Sequence, residues 1–309
     1  MRDLFQERRR FLKRLARLGL FAAGSGGVWT LDLRRARAAA APEPQPVAVA
    51  EGPDEAFLVR LVLEKLGGMG RFVRPGAQVV VKPNIAWDRT PEEGANTHPA
   101  VVAEVCRLAR ESGAAQVRVF DRPCNDGRRT YERSGVRAAV EGLGDRRVRL
   151  EHVRDEWFEV VDLPGARALD RWPLYRPALA ADVLINVPVL KHHGLTGVTV
   201  GLKNLMGVMG GNRGRIHQGI DQNLVDLNRV VRSHLTVVDA TRILLRGGPQ
   251  GGGTDGVRVA HRVAASADVV AADAWGAREF GVEPFDIGHL RAAHEQGLGV
   301  GDLSRVAIL

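Results

Sequence analysis

Short apolar runs, each ending at a polar residue and each separated from the next by a helical stretch, constrain this chain more than any other feature. Residues 78–82, 117–121, 182–188, 235–239 and 268–273 are too short for helices and apolar on both faces, which marks buried strands. Between them, Asp54 opens a helix to Glu64 that sets Phe57, Leu58, Leu61 and Val62 on one side. Thr97, with Pro99 in the first turn, is expected to cap a second helix that Gly113 stops. Further helices are expected at 131–143, 221–232, 273–280 and 286–296, and a last strand at 305–309. Such alternation predicts an α/β fold of mostly parallel sheets covered by helices. We expect two lobes, about 51–165 and 178–309, with a cleft between them.

The first residues follow different rules. Arg8-Arg9-Arg10-Phe11-Leu12-Lys13 places two arginines, a variable residue and Phe-Leu-Lys in the order of a twin-arginine export signal, although Glu7 or Arg8 stands where a Ser or Thr is usual. The apolar run behind it, from Leu18 to Leu31, is interrupted by Gly19, Gly24, Gly26 and Gly27. It falls short of the roughly 20 apolar residues of a spanning helix. Ala36-Arg37-Ala38 then offers a small-x-small cleavage site. Residues 1–38 therefore read as a signal peptide and 39–50 as a Pro-rich linker. The expected partner is the twin-arginine translocase, and the expected location is the periplasm, with a membrane anchor only if the leader stays uncleaved.

Charge supports this division. The chain carries +8, which would suggest a nucleic-acid partner, but residues 1–38 hold ten Arg or Lys against three acids, seven of those eight charges. The remainder is nearly neutral, so no nucleic acid is expected. Its two cysteines, Cys106 and Cys124, allow one disulfide or two free thiols, and cannot make a four-cysteine iron–sulfur cluster.

Open α/β sheets bind ligands at the carboxyl ends of their strands. The polar residues there are Lys82 and Asn84, Asp121-Arg122, Lys191-His192-His193 and Asp239-Ala240-Thr241, joined by Asn96-Thr97-His98. The densest stretch is 191–217, with seven glycines and seven Lys, Arg or His residues. Backbone amides that approach a ligand closely beside fixed cations make an anion site. Lys191 and Lys203 are the expected anion clamps, Lys203 also a nucleophile if desolvated. Asn204, Lys82 and Asn84 complete the binding set. His193 and His217 are candidate acid/base residues or, with Asp239, ligands of a transition metal. Adjacent residues of an extended chain point oppositely, so His192 and His193 are not expected to share one ion. Asp239 is equally readable as a general base or a turn cap. The run 247–253 reads as a loop over the site.

Taken in order, Val81-Lys-Pro-Asn84, Asn96-Thr-His-Pro99, Gly113 with 117–121, Asn186-Val-Pro188, Lys191, His193-Gly194, Thr196-Gly197, Lys203-Asn204, Gly207, His217 and Asp239 resemble the domain of unknown function 362 (DUF362). The resemblance spans about 50–309. Some relatives carry ferredoxin-like cysteine motifs beside this domain, which implies redox links there; those cysteines are missing here. His193, a glycine-rich run, Lys203 and His217 are also similar in order to the nickel-pincer lactate racemase family. That similarity implies Lys203 as the tether of a pincer cofactor, His217 as a nickel ligand and His193 as acid/base. Two functions follow as expectations: an exported enzyme acting on a small anionic substrate or nucleotide-like cofactor, with or without a metal, or a non-catalytic exported binding or maturation protein for a redox partner.

Overall fold

A computed structural model describes residues 42–309; the expected signal peptide at 1–38 and the first three residues of the expected linker, 39–41, lie outside the described residues. The described chain runs β1 (Ala48–Glu51), α1 (Glu55–Lys65), β2 (Gln78–Pro83), α2 (Pro99–Glu111), β3 (Gln116–Val119), α3 (Gly127–Arg133), α4 (Val136–Glu141), β4 (Val148–Leu150), β5 (Phe158–Asp162), β6 (Arg171–Tyr175), α5 (Arg176–Leu179), β7 (Val183–Val187), β8 (Val189–His193), β9 (Gly197–Thr199), α6 (Gly201–Asn204), α7 (Ile220–Val230), β10 (Leu235–Leu244), β11 (Val257–Ser266), α8 (Val269–Phe280) and α9 (Gly288–Glu295).

One nine-stranded sheet organises these elements, in the order β1-β11-β10-β7-β2-β3-β4, with β8 on β10 and β9 on β8. From β10 to β4 every pairing is parallel, while β1, β11 and β10 pair antiparallel. Consecutive residues of a strand face opposite sides, and the buried residues sort accordingly. Val79, Val81, Ile185, Val237 and Val263 enter one core under α1 and α2. Val80 and Leu184 enter a second, with Leu224 and Leu227 of α7. Val238 and Ala264 enter a third beneath α8. The mixed α/β architecture with a mostly parallel, helix-covered sheet is as expected.

Two separate lobes are not what the chain builds. β2 of the first segment pairs with β7 of the second over five residues, so the sheet crosses the expected boundary, and residues 41–309 form one compact unit. The linker also ends early: Val47 and Ala48 are buried, and residues 48–51 pair with β11. Asp54 caps α1 as expected, its carboxylate accepting from the Phe57 amide. Residues 268–273 are not a strand, because Asp268 accepts from the amides of Val270 and Ala271 and so starts α8. The expected helix at 131–143 is two short ones, broken where Gly135 takes φ +73°. Among the described residues no helix is long and apolar enough to cross a membrane.

Candidate functional site

β2 delivers Lys82 and then Asn84 to the carboxyl edge of the sheet, and both are buried there. Lys82 Nζ lies 2.8 Å from Asp121 Oδ1, just past the tip of β3, and donates to the Pro83 carbonyl at 2.6 Å. Burial pulls the Lys82 pKa down, and the Asp121 carboxylate opposes that pull. Asp121 also accepts from the amides of Ile85 and Arg122. Amides tie the strand ends together: Asn84 Nδ2 donates to Asn204 Oδ1 at 3.0 Å, and Asn204 Nδ2 to Asn186 Oδ1 at 2.8 Å and the Lys82 carbonyl at 3.1 Å. Thr97 serves this floor rather than the helix. Its hydroxyl accepts from the Asn84 amide and donates to the Val187 carbonyl, which leaves His98 as the residue preceding α2.

Lys203 arrives on a single helical turn, α6. That turn has no side-chain cap of its own; Asp273 of α8 accepts from the amides of Gly201 (2.7 Å) and Leu202 (3.0 Å) instead. A Cβ on residue 201 would stand 2.8 Å from the Asp273 carboxylate, so this contact demands glycine. Asn228 of α7 holds the Leu202 carbonyl from another side. So placed, Lys203 is 8% exposed, and its amine reaches only the Met206 thioether, at 3.7 Å. Desolvation lowers its pKa to about 8, with Arg213 adding repulsion and Cys124 opposing both. Lys191, midway along β8, donates to Asn84 Oδ1 at 3.1 Å and to the Ala95 carbonyl. Burial first, and the Lys203 charge second, bring Lys191 to about 7.

Two imidazoles complete the lining. His193 and His217 lie parallel, ring centroids 6.3 Å apart and planes 8° from coincidence. His193 Nδ1 accepts from the amides of Leu195 (3.1 Å) and Thr196 (3.4 Å), which puts the ring proton on Nε2. Burial and the Lys203 charge depress its pKa to about 3, so His193 is a neutral N–H donor across the physiological range. His217 is the converse. Its Nδ1 sits 2.9 Å from the Gly214 carbonyl, which can only accept, so in the neutral ring Nε2 carries the free lone pair.

These residues enclose a cavity of about 200 Å³. Asn84, Lys191, His193, Lys203, Asn204 and His217, all expected from the sequence, line it together. Lys82 stands behind the wall, paired with Asp121, which lines it. Asp239 does not join them: its carboxylate accepts from the amides of His98 (2.6 Å) and Thr241 (2.9 Å) and from the Thr241 hydroxyl, which is the turn-cap role. His98 stays with it. His192 turns away toward the Gly248 carbonyl, as alternation along a strand requires. The 247–253 run contributes Pro249 to the wall.

Sequence reasoning named Arg122 as a strand-end residue but missed Trp87, Cys124 and Arg213 beside it. Arg213 donates to the carbonyls of Arg122 (2.6 Å) and Pro123 (3.3 Å) and approaches Cys124 Sγ at 3.2 Å, while Arg122 donates to the carbonyls of Met209 and Gly211. Arg122, Cys124, Arg213 and Trp87 all line the cavity. Cys106 and Cys124 are free thiols, Cys106 buried in α2.

The donor set suits an anion and not a resident cation. Among the described residues no three His, Cys, Asp or Glu side chains come together as metal ligands, and Asp239 is occupied elsewhere. The one carboxylate on the cavity, Asp121, is ion-paired with Lys82, while Lys191, Lys203, Arg122 and Arg213 present positive charge. A transition metal would meet two imidazoles and net repulsion.

Among solved structures the chain is similar to a crystal structure of a Thermotoga maritima protein, with a TM-score of 0.44 at 12% identity, covering 80% of this chain and 60% of that one. It is also similar to the lactate racemase apoprotein of Thermoanaerobacterium thermosaccharolyticum, with a TM-score of 0.41 at 12% identity, covering 70% and 53%. Among curated proteins it is 30% identical over 229 residues to the thylakoid-associated protein sll1697 of Synechocystis sp., a match covering 70% of this chain and 66% of the relative. Residues 79–278, which include every residue of the cavity wall, match the family model described as domain of unknown function (DUF362), and the chain belongs to that family.

Proposed function

We propose that this chain is an exported enzyme that holds a small anion, a carboxylate or a phosphate, in the cavity between the strand tips and moves a proton on it. The Lys203 amine carries the reading: it is buried, lines the cavity and has only a thioether to satisfy it. A buried amine without an acceptor costs several kcal/mol when charged, and an anionic ligand is the partner that offsets this. Lys191 and Arg213 would share the anion, His193 Nε2–H would donate to a second oxygen, and the free Nε2 of His217 would take or return the proton. A cavity of about 200 Å³ lies below the roughly 300–1,000 Å³ of drug-sized sites, which favours a small acid over a nucleotide. It also disfavours docking of an acidic protein surface, because Lys191 is 1% exposed and out of reach of another protein's side chains.

Export rests on Arg8-Arg9 and the segment behind them. The Synechocystis relative is named for its thylakoid association, which is in keeping with work at or beyond a membrane. The deciding experiment is calorimetry of the purified chain against propionate, lactate, malonate and inorganic phosphate, with Lys203→Met alongside. We expect at least one anion to bind the wild type and to bind the variant more weakly, by roughly 10- to 150-fold, at unchanged melting temperature. A wild-type protein that binds no member of the panel sinks the reading.

A further inference from the structure

The chain has 44 lysines and arginines, and the lysines among them are Lys13, Lys65, Lys82, Lys191 and Lys203; every other basic residue is arginine. Of the described lysines, Lys65 sits at the exposed end of α1, and the other three are buried at one edge of the sheet. This is not how a chain that needs only fixed charge would be built. Arginine is always protonated and grips carboxylates with a planar fork, and the chain uses it at the cavity mouth, at Arg122 and Arg213. What lysine adds is an amine that can give up its proton and attack.

The three buried lysines differ in freedom. Lys82 is committed to Asp121. Lys191 is committed to Asn84 and the Ala95 carbonyl. Lys203 has no oxygen partner, lines the cavity, and shares it with a neutral imidazole N–H from His193 and an imidazole lone pair from His217. An amine, a donor and a base on one enclosed wall are the parts that amine addition to a carbonyl needs.

We propose that Lys203 forms a reversible imine with a carbonyl-bearing acid, an α-keto or α-aldehydic carboxylate, seated in the cavity through its carboxylate. This deepens the anion-binding reading and rests on it. The Lys203 nitrogen lone pair attacks the carbonyl carbon, and the carbonyl π electrons move to oxygen. His217 takes one proton from the nitrogen and returns it to that oxygen, which becomes a hydroxyl. The carbon–oxygen bond then breaks, the hydroxyl leaves as water with the second proton of the nitrogen, carried by the same imidazole, and the nitrogen lone pair closes the C=N bond. Amine and carbonyl become imine and water, with no oxidant or reductant. Lys191 and Arg213 hold the carboxylate, and His193 Nε2–H steadies the oxygen as it gains charge.

The test uses the full chain with pyruvate or glyoxylate and sodium cyanoborohydride, read by intact mass and peptide mapping. We expect one reduced adduct, placed on Lys203, suppressed by excess propionate, and, at saturating keto acid, forming faster as pH rises through about 8, where the amine loses its proton. Lys203→Arg keeps the charge without an amine that can attack, and should abolish the adduct. If that variant does not fold, the mapped wild-type adduct and its competition by propionate decide alone. No adduct, or one spread over Lys65 and the α-amino group, overturns the imine. Propionate binding without an adduct overturns the imine and leaves the anion site standing, whereas neither binding nor adduct removes both.

Discussion

Asp273 accepts a 2.7 Å hydrogen bond from the Gly201 amide, 72 residues away, and through that bond α8 sets the position of the Lys203 amine. Burial raises the Asp273 pKa to about 7 against the pull of its two amide donors, with Asp268 adding repulsion. For an acid whose folded pKa lies above its unfolded value, the cost of ionisation is absent below the unfolded value and complete above the folded one. Stability from this group should therefore fall as pH rises from about 4 to about 7. Asp273→Asn keeps one acceptor and should flatten that fall in urea titrations run across the interval. Asp273→Ala leaves two buried amides unpaired, at about 1–3 kcal/mol each, and should weaken anion binding by displacing Lys203.

The lysines give anion binding the same sign by another route. Their folded pKa values, about 7 for Lys191 and about 8 for Lys203, lie below those of free lysine. Each is charged only below its folded value, so affinity for a fully ionised carboxylate should drop as pH climbs from about 6 to about 9. Lys203→Met should cost about 1.5–3 kcal/mol of binding, the scale of one charged hydrogen bond. Calorimetry at fixed ionic strength checks both, and affinity that holds level to pH 9 would contradict them.

The opposite assignments of the two imidazoles are visible by nitrogen NMR. His193 should show a protonated Nε2 and a bare Nδ1, with no titration between pH 5 and 8, because its folded pKa is about 3. The sign for stability follows: the unfolded ring takes up a proton near the ordinary histidine value and the folded ring does not, so stability from this group is lost as pH falls from about 6.5 toward about 3. A His193 that titrates near neutrality would remove it as the neutral donor. His217→Gln should spare binding and lower any proton-transfer rate.

Gly207 is required for space. A Cβ there would collide with Asp121 Oδ1 and the Cε of Lys82. Gly207→Ala should therefore break the buried ion pair, at about 3–5 kcal/mol, and Lys82→Ala should cost as much by stranding Asp121. Replacing both partners, as Lys82→Met with Asp121→Leu, should recover part of the loss in chemical denaturation.

Much of the fold was legible because buried parallel strands and capped helices carry local signals: Gln78 to Pro83, Asp54 and Gly113 all sit where pattern and caps place them. Local signals misled where burial was equal on both sides. Val269-Val270-Ala271-Ala272 is as apolar as a strand because α8 is enclosed by β10, β11 and α9, and only the Asp268 cap separates the two readings. β11 escaped notice because Arg258, His261 and Arg262 interrupt it, tolerable on a ribbon that is partly exposed. Within the site, Lys191, His193, Lys203 and His217 were legible as strand-tip and glycine-loop chemistry. Asp121 was legible as a strand end, yet its pairing with Lys82 joins residues 39 apart and has no local trace. Asp239 sits at a likewise readable position, but β10 continues past it to Leu244, which turns an apparent strand tip into a mid-strand brace.

β1 seals the antiparallel margin of the sheet, pairing four residues with β11, while Val47 bridges Ile308 and exchanges amide bonds with Ala307 and Leu309. Peel those residues away and β11, still paired with β10 on its other side, becomes an edge strand with a row of unpaired amides and carbonyls, an invitation to stack against another molecule. Recombinant versions shortened at the amino end should therefore begin upstream of Val47; a trim a few residues longer would yield aggregates whose inactivity says nothing about chemistry.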